Sequence, residues 1–479
     1  MNNNIIIKSG IIRSNEEWNG NILISDDLLI PVGVRIFIKP NTKIKFLQKS
    51  KNKLFNKNLK LNYLIEKYNL DREQYKDKIS VIVYGTIICE GSKENLTDIG
   101  NCSWNGLIYV ANRGKIKLSY TRIRYSFGII SDVRAKVSIL DNCIIEQCCL
   151  GVTSFSGISI KNCRFNYNEI GTICHKKSLL YNNELIDNFS VGILFLIKNN
   201  KVYLSYGKFL FNNIGIKIIE SADVVFLNTK NSDILLQHNN IGVYLSQSIN
   251  INILVFKMIM YDNLINIYLN RLSANINLNN LQVFKGKGIL SYCFGEIYIN
   301  NSCFFDLDYV LELYNYTQIY LDSIKVNNSI ITFCLNNICS LSLENSTLDK
   351  SYLILFSLGK TYFYNNNNKF LNSNYGFILQ EQTVLNMLTS TVDNVEIVFS
   401  AVIYSSAYIY NNNIKKSRIV SFITGNSSLF FNKNLIESFT HSFVVRNRGK
   451  LLINDCSCKN KQNIFIDAKH YSEITICSH

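Results

Sequence analysis

Apolar and polar residues alternate along most of this chain, in short runs separated by turns rich in Asn. Near the amino end, segments 21–24, 34–38 and 42–46 alternate in this way, which is the pattern of half-buried strands. The alternation returns at 79–84 and continues with short breaks to 450–453. The pattern predicts a chain built almost entirely from short β-strands.

An internal repeat is marked by glycines, and each of them is followed closely by a short apolar run. The steps between successive glycines are 22, 23, 20, 21, 23 and 27 residues, a period typical of solenoid folds. Beyond residue 250 this glycine period loosens, although the alternation of strands persists. The glycines of the repeat are Gly106, Gly128, Gly151, Gly171, Gly192, Gly215 and Gly242.

Two neighbouring repeats, 137–151 and 158–171, show the repeating unit. Asn142 and Cys143 of the first recur 20 residues later as Asn162 and Cys163. Each repeat has a strand, an Asn turn, a second strand, a looser turn and a glycine-led third strand. Three strands in a coil of about 22 residues predict an all-β parallel β-helix. We expect it to be right-handed, as parallel crossovers are, with Asn amides stacked at the turn.

The pattern also predicts the domain organisation. We expect a single β-helix domain over residues 1–479, with an amino-terminal cap at 1–50 and coils at 79–479. Segment 51–78 differs, because lysines precede apolar residues at helical spacing. We interpret it as a short basic helical insertion that serves as a lid or docking element, or as a solvated excursion without a role.

The charge balance is basic, with 50 Lys and Arg against 35 Asp and Glu. A basic surface attracts acidic polysaccharide, nucleic acid, or a membrane or cell-wall surface, although lysines also serve solubility alone. No RNA-binding motif is present, so we do not expect nucleic acid as a partner. We expect no membrane span, because no apolar run approaches about 18 residues.

The amino terminus and the cysteines indicate a compartment. No basic region followed by an apolar stretch opens the chain, which predicts a cytoplasmic location. A surface or phage-particle location would require another export route. The 14 cysteines include no CxxC pair, so we expect buried, reduced thiols rather than disulfides or a zinc site.

The amino-terminal segment 18–46, with Trp18, Pro31, Gly33 and Pro40, resembles the opening cap of bacterial right-handed parallel β-helix repeat proteins of the pectin-lyase-like superfamily. Segments 82–88 and 103–108 continue the resemblance. It implies the fold but no single function, because the superfamily includes polysaccharide lyases, hydrolases, epimerases, tailspikes and non-catalytic members.

This chain departs from the catalytic patterns of that superfamily. Its one Asp-Asp pair lies in the cap, and no His is flanked by glycines. No Asp cluster supports the calcium site of pectate lyases, so we predict no cofactor. A standard pectinolytic enzyme is therefore not expected.

The resemblance implies a groove along the glycine-led strands. Positions four residues after each glycine should stack there: Val110, Asp132, Phe155, His175, Leu196, Ile219 and Ser246. Asp132 and His175 would then lie two coils apart, roughly 10 Å, with Phe155 between them. We predict His175, Asp132 and Arg134 as catalytic residues, unless they form only a solvated face. Substrate-binding candidates are Arg122, Arg124, Phe155, Lys176, Lys177, Glu146 and Glu169.

These residues suit an acidic sugar, because cations hold carboxylates and an aromatic ring stacks on a sugar ring. The first hypothesis is a carbohydrate-active protein that binds or modifies acidic polysaccharide, by lyase or epimerase chemistry if it is catalytic. Arg134 and Lys176 would neutralise the uronate carboxylate while His175 moves the C5 proton. The alternatives are a non-catalytic surface or fibre scaffold and a cytoplasmic enzyme acting on a peptide or small molecule. We expect a monomer or a trimer.

Overall fold

A computed structural model describes residues 5–47, 79–100, 106–176, 178–196, 201–219, 223–226, 233–246, 258–270, 276–458 and 466–477. These residues form β-strands and contain no helix, and successive coils pair in parallel. The predicted parallel β-helix is therefore confirmed. The helical insertion predicted at 51–78 lies outside the described residues, and so does Lys177. No helix in the described part of the chain could cross a membrane.

The chain divides into two compact units, Met1–Leu235 (unit 1) and Leu236–His479 (unit 2). The strands before the division are β1 (Ile5–Ile11), β2 (Glu16–Trp18), β3 (Asn21–Ile30), β4 (Arg35–Ile38), β5 (Lys43–Phe46), β6 (Ile79–Val83), β7 (Thr86–Glu90), β8 (Thr97–Ile99), β9 (Gly106–Val110), β10 (Lys115–Ser119), β11 (Thr121–Arg124), β12 (Ser126–Ser131), β13 (Ser138–Asp141), β14 (Ile144–Glu146), β15 (Leu150–Ser154), β16 (Ile158–Lys161), β17 (Arg164–Asn166), β18 (Ile170–Cys174), β19 (Leu179–Ile186), β20 (Val191–Leu196), β21 (Lys201–Leu210), β22 (Ile214–Ile219) and β23 (Asp223–Phe226).

The division falls within β24 (Ile234–Gln237). The strands after it are β25 (Ile241–Ser246), β26 (Met258–Tyr261), β27 (Ile265–Asn270), β28 (Ile276–Asn279), β29 (Leu281–Phe284), β30 (Lys287–Tyr292), β31 (Gly295–Asn300), β32 (Cys303–Leu313), β33 (Thr317–Asp322), β34 (Lys325–Asn336), β35 (Cys339–Glu344), β36 (Thr347–Leu358), β37 (Thr361–Asn366), β38 (Lys369–Gln380), β39 (Val384–Leu388), β40 (Thr391–Val402), β41 (Ser406–Tyr410), β42 (Asn413–Thr424), β43 (Ser428–Asn432), β44 (Leu435–Val445), β45 (Lys450–Asn454), β46 (Ser457–Cys458), β47 (Ile466–Ala468) and β48 (Glu473–Cys477).

The coils of unit 1 follow the predicted repeat of three strands. Strands β13, β14 and β15 of one coil pair in parallel with β16, β17 and β18 of the next. Asn142, Asn162 and Asn182 occupy the turn between the first two strands, with φ near +52°. Asn tolerates this left-handed conformation better than most residues. The Asn182 Nδ2 donates to the Asn162 Oδ1 at 2.8 Å, which confirms amide stacking between these two coils.

The repeated glycines of unit 1 allow successive coils to approach closely. A Cβ placed on Gly171 would lie 2.5 Å from the carbonyl oxygen of Gly192. A Cβ on Gly192 would lie 2.6 Å from the carbonyl oxygen of Gly215. A hydrogen atom fits where a methyl group would collide, so the packing of the coils explains the glycine period.

A second row, which the sequence did not reveal, lies inside unit 1. The side-chain oxygens of Asn168, Asn188 and Asn212 each accept the backbone N–H of the residue one coil earlier, at 2.9–3.2 Å. Their side-chain amides also donate to interior backbone carbonyls. These buried polar groups are thus satisfied, and each one links consecutive coils.

Unit 2 repeats with a stricter period than unit 1. Left-handed residues recur every 22 positions at three corners of the coil. The strands form long bent segments such as β34 and β36, together with a separate ten-stranded parallel sheet, β28-β31-β33-β35-β37-β39-β41-β43-β45-β48. One corner consists of Ser323, Asn345, Asn367, Thr389, Asn411, Lys433 and Asp455.

The glycine position of the repeat persists in unit 2 with other residues. Strand register places Gly288, Val310, Thr332, Ile354, Gly376, Val398 and Val420 at one position of successive coils. The five non-glycine residues are fully buried. Beyond residue 250 the glycine period therefore loosens as expected, whereas the coils keep a regular period of 22 residues.

Candidate functional site

The outer face of the glycine-led strands in unit 1 is covered. Ile108 lines an interior cavity together with Ile44 and Phe46, whereas Leu107 and Tyr109 belong to a separate apolar cluster with Ile130. Every residue of β9, β12, β15, β18 and β20 is buried. The prediction that these strands line an exposed groove is therefore wrong. The accessible residues lie at the turn that follows them.

That turn brings together the stacked row predicted from the glycines. Ser131 pairs with Ser154, and Ser154 pairs with Cys174, so the residues that follow occupy equivalent positions. They are Asp132, Phe155 and His175. The rings of Phe155 and His175 stack, with centroids 4.1 Å apart and planes inclined by 16°.

Val110 does not belong to this row. It pairs with Ser131, one residue before Asp132, because a β-bulge lies between Ser126 and Gly128. Counting from Gly106 therefore placed the wrong residue of that coil beside Asp132. The side chain that reaches Asp132 from the preceding coil is Tyr109, whose hydroxyl donates to the Asp132 Oδ2 at 2.6 Å. No spacing in the sequence indicated this tyrosine.

Cations surround the row. Arg134 is exposed just after Asp132, whose Oδ1 accepts the Arg134 backbone N–H at 3.3 Å. The backbone N–H of Arg113, one coil earlier, donates to the carbonyl of Arg134 at 3.0 Å. The Lys176 Nζ donates to the carbonyl of Val133 at 3.4 Å. Within the part of the chain that the structure describes, none of these three cations forms an ion pair. Lys136, two residues after Arg134, is exposed as well. We call Arg113, Arg134, Lys136 and Lys176 the cationic edge.

Four predicted binding residues lie elsewhere. Arg122 and Arg124 are on β11, and Glu146 is on β14, separated from the row along the chain by β12 or β15. The Arg122 Nε lies 3.1 Å from the Glu146 Oε1, and the Arg124 Nη2 lies 2.6 Å from the Asp98 Oδ2. The hydrogen bond that Arg124 donates to Asp98 raises the pKa of Arg124. Their charges are already paired, so they are not free to bind a substrate as the cationic edge is.

Glu169, the fourth of these residues, lies in the turn before β18, at the opposite end of the glycine-led strand from His175. The structure thus brings Asp132, Arg134, Phe155, His175 and Lys176 together. Phe155 is only 9% exposed, so His175 is the ring that covers it on one side. A ligand at this edge would contact His175 before Phe155.

Unit 2 contains a polar cluster that the sequence analysis also missed. The Glu312 carboxylate accepts the Tyr314 hydroxyl at 2.8 Å and the Lys287 Nζ at 2.9 Å. The ring of Tyr314 stacks on Tyr292 with centroids 4.6 Å apart. The hydrogen bond to Glu312 raises the pKa of Lys287, while burial followed by that same carboxylate raises the pKa of Tyr314. The Lys287 ammonium and the Glu312 carboxylate of this cluster therefore neutralise each other.

The described cysteines of unit 1 are buried. Cys143 and Cys163 lie one coil apart, and the Cys163 Sγ accepts the backbone N–H of Cys143 at 3.4 Å. Burial raises the pKa of Cys148 to about 11 and of Cys174 to about 12. Among the described residues, no cysteine forms a disulfide. In the same part of the chain, no group of three His, Cys, Asp or Glu side chains could bind a metal ion.

No family model matches this chain, and no curated protein matches it. Among solved structures, it is similar to a PL6 family alginate lyase, AlyGC, with a TM-score of 0.23 and 9% identity. The match covers 100% of this chain and 96% of that chain. At this TM-score the similarity carries no argument, and the parallel β-helix rests on the strand pairing described above.

Proposed function

We propose that this protein is a carbohydrate-active β-helix protein that binds acidic polysaccharide at the cationic edge of unit 1. The observation that carries the proposal is the grouping of Arg113, Arg134 and Lys176 beside the stacked rings of Phe155 and His175. The cations come from neighbouring coils and would face successive carboxylates of a polymer.

The chemistry of each group suits a uronate chain. A guanidinium presents a planar set of donors that matches a carboxylate, so Arg113 and Arg134 would each hold one acidic sugar. Lys176 would contribute a point charge near Arg134. The His175 ring, supported from behind by Phe155, would lie beside the bound sugar with a ring nitrogen directed toward C5.

The same arrangement would support proton transfer at the carbon next to a uronate carboxylate. His175 would remove the C5 proton while Arg134 and Lys176 stabilise the negative charge that develops on the carboxylate. In a lyase, the C4–O bond then breaks, and the departing oxygen takes a proton. In an epimerase, a proton returns to C5 from the other face. A scaffold without turnover would keep the binding but lack both reactions.

Binding to polygalacturonate at several NaCl concentrations tests the proposal. We expect the double variant Arg134→Ala/Lys176→Ala to weaken binding about tenfold, because two charged contacts are lost. Added salt should weaken the wild-type complex by screening these contacts. The matched control is Lys43→Ala/Lys45→Ala, which removes the same charge from two exposed lysines of β5.

Equal binding by the wild type and the Arg134→Ala/Lys176→Ala protein would contradict the proposal, and so would an equal loss in the control. A second assay separates binding from turnover. Ultraviolet absorbance of unsaturated uronate reports a lyase, and solvent deuterium incorporated at C5 reports an epimerase. Either activity should disappear in His175→Ala while binding persists.

A further inference from the structure

Tyrosines line the outer face of the ten-stranded sheet in unit 2. Strand register places one position of successive coils in a single column. Ile319, Leu321 and Phe363 alternate with these residues and are buried in the interior. We call the outward side chains of β31 to β43 the tyrosine face. Its central column consists of Tyr298, Tyr320, Ser342, Tyr364, Asn386, Tyr408 and Phe430.

The rings of this face are accessible on a rigid support. Tyr320 and Tyr364 are each 37% exposed, and Tyr408 is 48% exposed. Tyr362 and Tyr410 flank the column and are exposed as well. Every strand from β31 to β45 pairs with a neighbour on each side, so the backbone beneath the rings is fixed. Grouped, pre-ordered aromatic side chains of this kind are typical of binding surfaces.

The rings alternate with short polar side chains. Tyr320, Tyr364 and Tyr408 are two coils apart, roughly 10 Å at two strand spacings. Ser342 and Asn386 lie between them, which leaves a shallow gap beside each ring with a hydroxyl or amide at its floor. An extended glycan advances by about one strand spacing for each sugar. Tyr320 stacks on Tyr298 with ring centroids 4.8 Å apart, and Tyr408 stacks on Phe430 with centroids 4.9 Å apart, so their other faces look along the column over Ser342 and Asn386. A sugar seated over Ser342 or Asn386 would therefore contact a ring face at its side and hydrogen-bond the hydroxyl or amide beneath it.

Two hydroxyls show how the rings are oriented. The Tyr298 hydroxyl donates to the Glu296 Oε2 at 2.7 Å, and the Tyr320 hydroxyl donates to the Gln318 Oε1 at 3.4 Å. Each acceptor lies two residues earlier on the same strand, so each ring is directed along its own strand. A polymer that crosses the strands would thus pass over one ring after another.

The charge of the face selects the type of glycan. Glu296, Asp322 and Glu344 lie on its outward positions. Outward positions of β31 to β43, all within the described residues, contain no Lys or Arg. Lys433, at the corner after β43, places its Nζ 5.8 Å from the centroid of the Tyr410 ring at the margin of the face. On the outward strand positions themselves, an acidic polymer would meet the three carboxylates without a compensating Lys or Arg, whereas a neutral glycan needs only ring faces and hydrogen-bonding groups.

We propose that the tyrosine face is a second glycan-binding surface of this protein, which takes an extended neutral polysaccharide across the strands of the ten-stranded sheet. The surface is separate from the cationic edge in residues, charge and sheet. It would attach the protein to an uncharged polymer whether or not the cationic edge binds an acidic one.

Affinity electrophoresis of the full-length protein in gels containing mixed-linkage β-glucan, galactomannan or xyloglucan tests this proposal. We expect retardation by at least one of these neutral polymers. The Tyr364→Ala/Tyr408→Ala protein should lose about tenfold in affinity, because aromatic anchors supply most of such binding. The matched control is Tyr316→Ala/Tyr352→Ala, which removes two exposed tyrosines of unit 2 that lie outside the face.

The expected binding differs from that at the cationic edge in its response to salt. Retardation by the neutral polymer should change less than about twofold on adding salt, since no ion pair is involved. Polygalacturonate binding should be unchanged in Tyr364→Ala/Tyr408→Ala, which distinguishes failure of this proposal from failure of the first. The proposal is overturned if none of the three polymers retards the protein, or if the tyrosine variant and its control behave alike. Loss of self-association in the variant, without glycan binding, would also overturn it.

Discussion

Units 1 and 2 build similar coils from different residues. In unit 1, glycines such as Gly171 and Gly192 permit close approach of a carbonyl from the next coil. In unit 2, Val310, Ile354 and Val398 are buried at the same position of the coil, and left-handed corners recur every 22 residues. The corners and the interior rows therefore maintain the coil in both units. A glycine is only one of several residue types that can occupy this buried position.

The outer faces of the two units differ as well. In unit 1, the glycine-led strands are buried. The turn after them contains cations that form no ion pair with any described residue. Unit 2 displays neutral tyrosines on a separate sheet. By the two proposals, unit 1 would bind an acidic polymer through charge, and unit 2 would bind a neutral polymer through ring contacts.

The glycine position offers the largest expected effect. Gly171→Val would push a side chain toward the Gly192 carbonyl, where the first added carbon already meets an oxygen at 2.5 Å. We expect the free energy of unfolding to fall by about 3 kcal/mol, the upper range for overpacking. Urea unfolding followed by circular dichroism measures this change.

A matched substitution in unit 2 sharpens the result. Ile354→Val trims a buried side chain at the same coil position and should cost only about 1 kcal/mol. Equal destabilisation by the two substitutions would mean that the glycine is not required by the packing of unit 1.

A separate interior row, in which Cys143, Cys163 and Asn183 follow one another from coil to coil, offers an intermediate effect. The Asn183 Oδ1 accepts the backbone N–H of Cys163 at 2.9 Å, and its Nδ2 donates to the Ile160 carbonyl at 3.1 Å. Asn183→Ala leaves both backbone groups buried without that partner, which we expect to cost about 2 kcal/mol. Cys163→Asn extends the amide row and should change stability by less than about 1 kcal/mol. The idea fails if the Cys163→Asn protein is the less stable of the two by urea unfolding.

The buried thiols offer the smallest effect. Burial raises the pKa of Cys174 to about 12, above its ordinary value of 9.0. Between these values the unfolded chain releases the thiol proton and the folded chain keeps it, so stability falls as pH rises. From about pH 8 to pH 10, we expect Cys174→Ala to lose about 1 kcal/mol less than the wild type. Identical losses in urea unfolding at the two pH values would show that this thiol is not protected by burial.

The sequence predicted the fold because the repeat is local. Asn142, Asn162 and Asn182 mark their turns, and glycines mark the coils of unit 1 from Gly106 onward. The strict period of unit 2 escaped notice because Ser, Thr, Asp and Lys also occupy its left-handed corners. A search for corner positions rather than for glycine would have found it.

The candidate site was predicted less completely. The stacking of Phe155 on His175 follows from counting, whereas the β-bulge before Gly128 moved Val110 out of the row. Arg122 and Arg124 are on another strand and already paired, which composition and spacing do not reveal. Burial of the outer face depends on what packs against it, and a strand pattern carries no such information.

Hydrogen–deuterium exchange of the full-length protein, with and without each polymer, tests the division between the two units most directly. With polygalacturonate, we expect exchange to slow at the turns around residues 132–136 and 175–176. Exchange on the tyrosine face should stay unchanged. With the neutral polymer that binds, we expect slower exchange in β37 to β41 and in the corners beside them, while the turns of unit 1 are unchanged. Protection of the same segments by both polymers would contradict the account, as would protection by the acidic polymer confined to unit 2.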